Sequence, residues 1–267
     1  GARVISWAQN LEDVMLSRVF GNSPTGFYID VGAFDPDVDS VTRHFYEAGW
    51  HGINVEPLPA QIDKFRASRP RDINLGVAVG ESPATLRFYD FSPTGLSTLD
   101  AASAADVRAR GFACRELDVP VVTLRQLIDE HAPAVVDFLK IDVEGAEAAV
   151  LAGADFTRHR PRILVIEATA PMTTSPTHAG WEPALLRSGY LFAWFDGLNR
   201  FYVRREDADL LRHFHVQPNV FDDYWRDSDV RRAAAEAQDR RRRAQWARRV
   251  LRGVRGWVRA RRAARSR

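Results

Sequence analysis

The sequence contains little cysteine and no long apolar segment. Cys114 is the single cysteine among 267 residues, so the chain can form no intramolecular disulfide and holds no cysteine-rich metal site. No apolar run approaches the roughly 20 residues that a membrane-spanning helix needs. Residues 1–20 mix Arg3, Glu12 and Asp13 with apolar positions, unlike the hydrophobic segment of a signal peptide. These absences predict a cytoplasmic protein.

The sequence also lacks the loops by which several enzyme classes are recognised. It has no Gly-x-Gly-x-x-Gly, the turn that places a dinucleotide pyrophosphate on a helix N-terminus. A Walker loop, a Gly-x-Ser-x-Gly elbow and a His-Glu-x-x-His helix are absent as well. The missing glycine loop argues against a nucleotide-sugar oxidoreductase.

Charge is divided unevenly along the chain. Residues 1–225 carry 21 Lys+Arg and 31 Asp+Glu, a net charge of −10, whereas residues 226–267 carry 16 Arg and 4 acids, a net charge of +12. The pattern predicts an acidic domain followed by a helical or disordered arginine-rich tail, and it is no signature of specific nucleic-acid binding. Apolar residues recur at helical spacing in this tail: Trp246, Val250, Leu251, Val254, Trp257 and Val258.

Strand-like and helix-like segments alternate from about residue 27 to residue 203. This alternation is typical of an α/β fold with a mostly parallel sheet and helices on both faces. The predicted strands are 27–31, 52–56, 73–79, 135–141 and 163–167, and the predicted helices are 40–48, 60–68, 124–130, 144–151 and 181–188. In addition, the pattern predicts an amphipathic helix over 4–20, an antiparallel strand over 84–91, and a hairpin that joins 191–195 to 200–203 through Asp196-Gly197.

Four acidic residues stand where predicted strands end. Asp30 precedes the Gly32 turn, and Glu56, Asp142 and Glu167 end three further strands. Because the carboxyl ends of parallel strands meet at one edge of a sheet, where such sheets bind ligands, we expect these carboxylates to surround a binding site. They favour a ligand with cationic and hydroxyl groups, and S-adenosylmethionine carries both.

Three side chains are candidates for the acid–base chemistry of this site. Asp142 or Glu144 could orient a substrate hydroxyl or take its proton, although Asp142 could equally cap the following helix. His178, in a threonine-rich loop, is a further candidate base, or a solvated histidine. Asp142, Glu167 and His178 could together bind a divalent metal, but no ligand spacing supports this, and the sequence assigns no metal ligands.

The sequence resembles the FkbM family of S-adenosylmethionine-dependent methyltransferases across about residues 5–225. The resemblance rests on blocks in the order SWAQNLED, FYIDVGAFDPDVDSVTRHFYEAGWHGINVEP, INLGVAVGE, GLSTL, VTLRQLID, FLKIDVEGAE, VIEAT and FDGLNRFYV. It implies a class I methyltransferase (Rossmann-like) fold, with a seven-stranded sheet that ends in an antiparallel strand pair. It further implies S-adenosylmethionine as cofactor and O-methylation of a hydroxyl, commonly of a sugar in a glycan, glycolipid or glycosylated natural product.

The resemblance also implies roles for individual residues. The cofactor would contact Asp30, Val31, Gly32 and Ala33 at its amino-acid end, Glu56 and Pro57 at its ribose, Ala78 and Val79 at its adenine, and Asp142 beside its sulfonium. Residues 1–26 would cap the pocket. The resemblance further places Gln9, Glu12, Ser40 and Ser97 among the residues expected to contact the acceptor. Apart from the resemblance, the strand-end position of Glu167 and the aromatic ring of Trp181 near the same edge add these two, with core packing as the alternative for Trp181.

A binding or tethering protein is the alternative hypothesis. In that case the tail would contact an anionic membrane surface or an adjacent domain, because apolar residues surrounded by arginines suit a helix at a membrane surface. A solvated extension would have the same composition. The sequence leaves the oligomeric state open.

Overall fold

The computed structural model describes residues 4–21 and 23–265, and for residues 247–265 it describes the backbone alone. The chain falls into two compact units, Gly1–Tyr224 and Trp225–Arg267. The strands are β1 (Val4–Ser6), β2 (Phe27–Val31), β3 (His51–Val55), β4 (Ile73–Leu75), β5 (Ala78–Gly80), β6 (Ala84–Asp90), β7 (Arg115–Thr123), β8 (Phe138–Ile141), β9 (Ile163–Glu167), β10 (Tyr190–Phe195), β11 (Asn199–Arg204) and β12 (Tyr224–Arg226).

Eight α-helices and three short 3-10 helices connect or follow these strands in the described part of the chain. The α-helices are α1 (Glu12–Phe20), α2 (Arg43–Glu47), α3 (Pro59–Ser68), α4 (Ala101–Ala109), α5 (Leu124–His131), α6 (Glu147–Ala152), α7 (Glu182–Arg187) and α8 (Asp227–Arg265). The 3-10 helices are His178–Gly180, Arg205–His213 and Val220–Asp222.

A seven-stranded, mostly parallel sheet forms the centre of the first unit. Its strand order is β10-β11-β9-β8-β2-β3-β4. Neighbours from β9 to β4 pair in parallel, whereas β11 runs antiparallel to both β9 and β10. These pairings confirm the predicted α/β fold with a mostly parallel seven-stranded sheet and an antiparallel strand pair at its end.

Alternation along the strands assigns the two faces of this sheet. In β2, Ile29 packs into a core cluster with residues of α5, α6 and α7, whereas Tyr28 packs into a second cluster with residues of α1 and α2. The neighbouring strand β8 alternates in the same way, with Leu139 in the first cluster and Phe138 in the second. Because successive strand residues point to opposite faces, the helices cover both sides of the sheet, as predicted.

A second, three-stranded sheet stands beside the main one. Its order is β5-β7-β6, with β5 parallel and β6 antiparallel to β7. The predicted single strand over 73–79 is therefore wrong, because the chain leaves the main sheet after β4 and enters the small sheet at β5. Helix α4 and strand β7 were not predicted, although Asp100 is a recognisable helix cap whose carboxylate accepts a hydrogen bond from the Ser103 amide.

The predicted helix over 4–20 is also wrong, because residues 4–11, nearly half of it, are a strand and a loop. The Asp13 carboxylate accepts hydrogen bonds from Ser6 Oγ at 2.7 Å and from the backbone amides of Trp7 and Ala8 at 2.7 and 3.2 Å. Leu11, at φ 67°, is left-handed, so the helix cannot extend back through it. The loop therefore folds onto Asp13, and α1 begins at Glu12.

Several other helices and strands are shorter than predicted, and the difference in α6 affects the candidate site. Helix α6 begins at Glu147 rather than 144, because Glu144 at φ 55° and Gly145 at φ 104° are left-handed. Its N-cap position is Ala146. The alternative in which Asp142 caps this helix is therefore wrong.

The second unit consists mainly of the 39-residue helix α8. Its described side chains are mostly exposed and include ion pairs one turn apart, such as Arg243 with Asp239 at 2.8 Å. Of the two predictions for the tail, helical or disordered, the structure shows the helix. The predicted apolar positions from 250 to 258 lie outside the described side chains. Within the described part of the chain, every helix is too short or too polar to cross a membrane.

Candidate functional site

A cavity with about 550 Å³ of empty space opens where β2, β3 and β8 end. We call it the strand-end pocket. Strand β5 forms one wall, and β6 and the loop that follows it form another. Its lining residues are Val31, Gly32, Phe34, Val55, Glu56, Pro57, Leu58, Val77, Ala78, Val79, Phe88, Gly95, Ser97, Leu99, Asp142, Val143 and Ala146. Most of these side chains are apolar, so the pocket suits a flat organic group that presents polar atoms to a few positions.

Glu56 is a buried carboxylate of this pocket and connects two of its loops. Its Oε2 accepts a hydrogen bond from the Phe34 amide at 3.0 Å, and its Oε1 accepts one from the Leu58 amide at 2.9 Å. Burial raises the pKa of Glu56 to about 7, against the lowering effect of these two amides. Each carboxylate oxygen keeps a second lone pair, which can accept a hydrogen bond from a ligand hydroxyl.

Gly32 brings the ends of β2 and β8 together. Its φ of +79° is in the left-handed region, and a Cβ atom at this position would lie 1.8 Å from the carbonyl oxygen of Asp142. A side chain is therefore excluded by the neighbouring backbone. Glycine here allows the backbone of Asp142 to pack directly against the end of β2.

A second cavity, which we call the carboxylate cleft, begins on the other side of Asp142. It holds about 1130 Å³ of empty space, open to solvent. Its lining residues are Gln9, Leu96, Asp142, Glu144, Glu167, Thr169, Met172, Thr173, Thr174, Ser175 and Leu198. Asp142 thus lines both the pocket and the cleft. The cleft therefore brings three acidic side chains together, two of them at adjacent strand ends.

The acids of the cleft lie close enough to perturb one another. Asp142, Glu144 and Glu167 each offer an oxygen, and these oxygens lie within 4.8 Å of one another. Burial, then the charge of Asp142, raises the pKa of Glu144 to about 9, and the same causes hold the pKa of Glu167 well above its usual range. These are oxygen donors of the kind that divalent cations such as Mg²⁺ or Mn²⁺ bind.

Lys140 supplies positive charge behind these acids. Its Nζ lies 3.3 Å from Oδ2 of Asp142 and 3.5 Å from Oδ1 of Asp30. Asp30 is buried, and Thr42 Oγ1 donates to its Oδ2 at 3.4 Å. Asp30 therefore faces Lys140 beneath the site and does not line the strand-end pocket. Lys140 was not identified as a site residue from the sequence. A lysine within an apolar strand, two residues before Asp142, was nevertheless a recognisable signal.

Many of the expected site residues do gather at this edge of the sheet. Those lining the strand-end pocket are Val31, Gly32, Glu56, Pro57, Ala78, Val79, Ser97 and Asp142, and those lining the cleft are Gln9, Asp142, Glu144 and Glu167. The sequence did not indicate Leu58, Phe88, Leu99 or the residues from Thr169 to Ser175, because loops outside the recognised strand ends bring most of them to the site.

Other expected site residues lie elsewhere. Ala33 packs against Ile62 and Phe65 of α3. Ser40 is buried and accepts a hydrogen bond from an Arg69 guanidinium nitrogen at 2.9 Å. Glu12 is also buried, where it accepts hydrogen bonds from Asn199 Nδ2 at 2.7 Å and from the Asn10 amide at 2.8 Å. Their hydrogen bonds and packing stabilise the loops around the site.

His178 and Trp181 are likewise placed away from the acids. The Nε2 of His178 lies 3.9 Å from Oε2 of Glu182, at the start of α7, and His178 lines neither the pocket nor the cleft. The structure therefore does not bring His178 together with Asp142 and Glu167, a combination that no ligand spacing in the sequence supported. Trp181 is 6% exposed and packs edge-on against Tyr202. It is therefore a core residue, which is the alternative that the sequence left open for it. A sugar ring could not stack on it in this arrangement.

Comparison with models of protein families gives a match to this chain. Residues 30–192, more than half of the chain, match the family described as the methyltransferase FkbM domain. This range includes Asp30 at its start, the strand-end pocket, and the three acids of the carboxylate cleft. No curated protein gives a significant match to the chain.

Proposed function

Because the chain belongs to the FkbM methyltransferase family, we propose that it is an S-adenosylmethionine-dependent O-methyltransferase that acts on a sugar hydroxyl. The acceptor would be a glycan, a glycolipid or a glycosylated natural product. One observation carries the proposal: Asp142 lines both the strand-end pocket and the carboxylate cleft. A methyl donor in the pocket and an acceptor in the cleft would meet at this side chain. The proposal includes a class I arrangement of the seven-stranded sheet.

The residues of the strand-end pocket fit S-adenosylmethionine. Ala78 and Val79 offer an apolar wall for the adenine, and Glu56 offers carboxylate lone pairs to the ribose hydroxyls. Asp142 would face the sulfonium, with which an anionic side chain interacts favourably. When bound, this cofactor supplies an already activated methyl group. The chain's own contribution is therefore mainly to position the acceptor and to accept its proton.

Asp142 is the residue best placed to orient the acceptor hydroxyl. It reaches both cavities, and Lys140 at 3.3 Å balances its charge. Glu144, with a pKa of about 9, holds a proton at neutral pH and is a poor base in that state. His178 lies outside the cleft. We therefore assign to Asp142 the hydrogen bond from the reacting hydroxyl and the acceptance of its proton during or after transfer.

The walls of the carboxylate cleft suit a polyhydroxylated acceptor. Gln9, Thr169 and Ser175 bring amide and hydroxyl groups to the cleft beside its three acids. The Thr169 hydroxyl is buried and has no hydrogen-bond partner among the described residues. Buried polar groups are usually paired, so a free hydroxyl at a cleft wall is suited to a ligand. A sugar, with several hydroxyls on one small ring, could satisfy many of these groups at once.

Methyl transfer with an Asp142→Asn variant tests the proposal. The protein would be incubated with methyl-labelled S-adenosylmethionine and a panel of hexoses, deoxyhexoses and their glycosides. We expect an alkali-stable labelled sugar ether from the wild type, and a rate lowered by about 100-fold or more in Asp142→Asn because the proton acceptor is lost. Asp118→Asn, at an exposed position of β7, should keep the wild-type rate.

Two results would contradict this proposal. Turnover of Asp142→Asn at the wild-type rate would remove the role of Asp142. Transfer of the label to nitrogen or carboxylate groups, with no sugar ether formed, would show that the acceptor class is wrong.

A tethering role for α8 remains a second candidate. The observation behind it is a continuous helix, Asp227–Arg265, in a segment with a net charge of +12. We propose that this helix binds anionic membrane surfaces, with which clustered arginines interact favourably. Sedimentation with anionic vesicles should decline when Arg240, Arg241, Arg242 and Arg243 are replaced by Gln, and should decline with salt in the wild type. Vesicle binding unaffected by either change, or no binding, would contradict this role.

A further inference from the structure

The three acids of the carboxylate cleft converge from separate parts of the chain. Asp142 directly follows β8, and Glu167 ends β9, which pairs with β8 in parallel through Ile141 and Ile166. The two carboxylates are therefore neighbours at the same edge of the sheet. Glu144 joins them through a left-handed turn at φ 55°. One oxygen from each residue lies within 4.8 Å of the other two.

Two of these three acids have no cationic partner in the described part of the chain. Lys140 contacts Asp142 at 3.3 Å, but it also contacts Asp30 at 3.5 Å. Among the residues that the structure describes, no lysine, arginine or histidine forms an ion pair with Glu144 or Glu167. The cluster therefore carries more acidic groups than the nearby lysine can neutralise.

Glu167 gives an independent sign of a missing partner. Glu167 is only 6% exposed, and it lines the cleft. Its Oε2 atom is buried and has no hydrogen-bond partner in the described part of the chain. Oε2 of Glu144 is buried and unpartnered in the same way. A buried carboxylate oxygen without a partner is costly, and buried charges in proteins are usually paired or bound to a metal.

We propose that Asp142, Glu144 and Glu167 form a binding site for one divalent cation. Three carboxylate oxygens are hard ligands, which suit Mg²⁺, Mn²⁺ or Ca²⁺ rather than a cation that prefers sulfur or imidazole. The open side of the cleft leaves coordination positions for water or for ligand oxygens. This site goes beyond the proposed function, because transfer of an already activated methyl group does not require a metal.

The position of the cation suggests what it would do. Its ligand Asp142 also lines the strand-end pocket, so the cation would stand beside the point where the pocket and the cleft meet. There it would bind oxygens of the acceptor and hold one hydroxyl towards the pocket. This role rests on the proposed function, whereas the cation site itself rests only on the three carboxylates and their surroundings.

Binding of Mn²⁺ to the metal-stripped, full-length protein tests the site directly. Electron paramagnetic resonance detects free Mn²⁺, so a titration gives stoichiometry and affinity without cofactor, acceptor or turnover. We expect one saturable site in the wild type, weakened by about 10-fold or more in Glu167→Gln and in Glu144→Gln. Glu130→Gln, an exposed acid with 67% of its side chain accessible, is the matched control and should bind as the wild type does.

Thermal unfolding of the same proteins adds a second readout. Without metal, Glu167→Gln and Glu144→Gln should unfold at or above the wild-type temperature, because each substitution replaces a buried ionisable group, whose charged form is costly there, by a neutral one. Saturating Mn²⁺ should raise the unfolding temperature of the wild type and of Glu130→Gln, and should do so much less in the two cleft variants.

The proposal is overturned by either of two results. The first is the absence of saturable Mn²⁺ binding by the folded wild type. The second is binding that stays at wild-type strength in both cleft variants. Neither measurement involves S-adenosylmethionine or a sugar, so failure of the cation site and failure of the methyltransferase proposal would be told apart.

Discussion

Lys140 and Asp30 stand directly opposite each other on the neighbouring strands β8 and β2, with Nζ 3.5 Å from Oδ1. Lys140 also reaches Oδ2 of Asp142 at 3.3 Å. Burial lowers the pKa of Lys140, but the charges of Asp30, Asp142 and Glu12 outweigh that effect and hold it above its usual range. A permanently charged ammonium group therefore lies beneath the point where the strand-end pocket and the carboxylate cleft meet.

Replacing this lysine should destabilise the protein strongly. Lys140→Met keeps the length of the side chain but leaves the buried Asp30 without its ion-pair partner. We expect a loss of about 3–5 kcal/mol in the free energy of unfolding, because removing one partner of a buried ion pair leaves an uncompensated charge. Urea denaturation followed by circular dichroism would measure it.

The other lysine of the chain provides the control. Lys64 pairs with Asp35 at 2.7 Å, but its side chain is 51% exposed, so Lys64→Met should cost less than about 1 kcal/mol. Adding Asp30→Asn to Lys140→Met should restore much of the lost stability. Equal losses for the two lysine variants would contradict the assignment of a buried charge network around Lys140.

Gly32 should tolerate no side chain, for a steric reason beyond its backbone angle. Gly32→Ala would add both the strain of an alanine at φ +79° and a clash with the Asp142 carbonyl oxygen. We expect a loss of more than about 2 kcal/mol of stability together with weaker cofactor binding, because the two strand ends must separate. Thermal unfolding and a cofactor titration would measure these two effects.

Gly111→Ala separates the two contributions. Gly111 has a comparable φ of +91°, but nothing lies within 4 Å of its added Cβ atom. This variant should therefore lose only about 1–2 kcal/mol, the cost of the left-handed conformation alone. If Gly32→Ala lost no more stability than Gly111→Ala, the close contact with Asp142 would not be what requires a glycine.

Glu12 should make stability fall as pH rises. Burial, then the charge of Asp196, raises the pKa of Glu12 from 4.5 to about 8, while amide hydrogen bonds from Asn10 and its own backbone oppose the shift. Between these pH values the folded protein binds more protons than the unfolded chain, so this contribution to stability is complete below about pH 4.5 and is lost through about pH 8.

The comparison with Glu12→Gln isolates that contribution. Asp13 and Lys140 also face Glu12, and other buried acids titrate over overlapping ranges, so only the difference between the two proteins is diagnostic. The free energy of unfolding should fall more steeply with pH in the wild type, by at most about 1.4 kcal/mol per pH unit. Parallel pH profiles for the two proteins would contradict the raised pKa of Glu12.

The main sheet could be predicted from the sequence, because its central strands have strong local signals. Strands β2 and β9 are almost continuous apolar runs, and the hairpin at Asp196-Gly197 has a characteristic turn sequence. The start of the chain could not be predicted in this way. Residues 4–20 have helical spacing, but hydrogen bonds to the Asp13 carboxylate hold the first part as a strand and loop.

The positions of the candidate site residues could be predicted where they depend on strand ends. Glu56 and Asp142 directly follow parallel strands and Glu167 ends one, so the fold alone brings them to one edge. The position of His178 could not be predicted in this way, because a loop rather than a strand determines it. For Trp181, the residue type allows either stacking on a sugar or core packing, and only its burial decides between them.

Calorimetric titration with S-adenosylhomocysteine tests the central claim, that the strand-end pocket binds the cofactor. Gly95→Trp is the informative variant, because Gly95 lines this pocket and its Cβ direction is open, so the indole would occupy pocket space without disturbing the fold. Gly180→Trp makes the same change at a glycine that is also open but lies outside the pocket. We predict binding by the wild type and by Gly180→Trp, and loss of binding by Gly95→Trp. No binding by the folded wild type, or undiminished binding by Gly95→Trp, would contradict the claim.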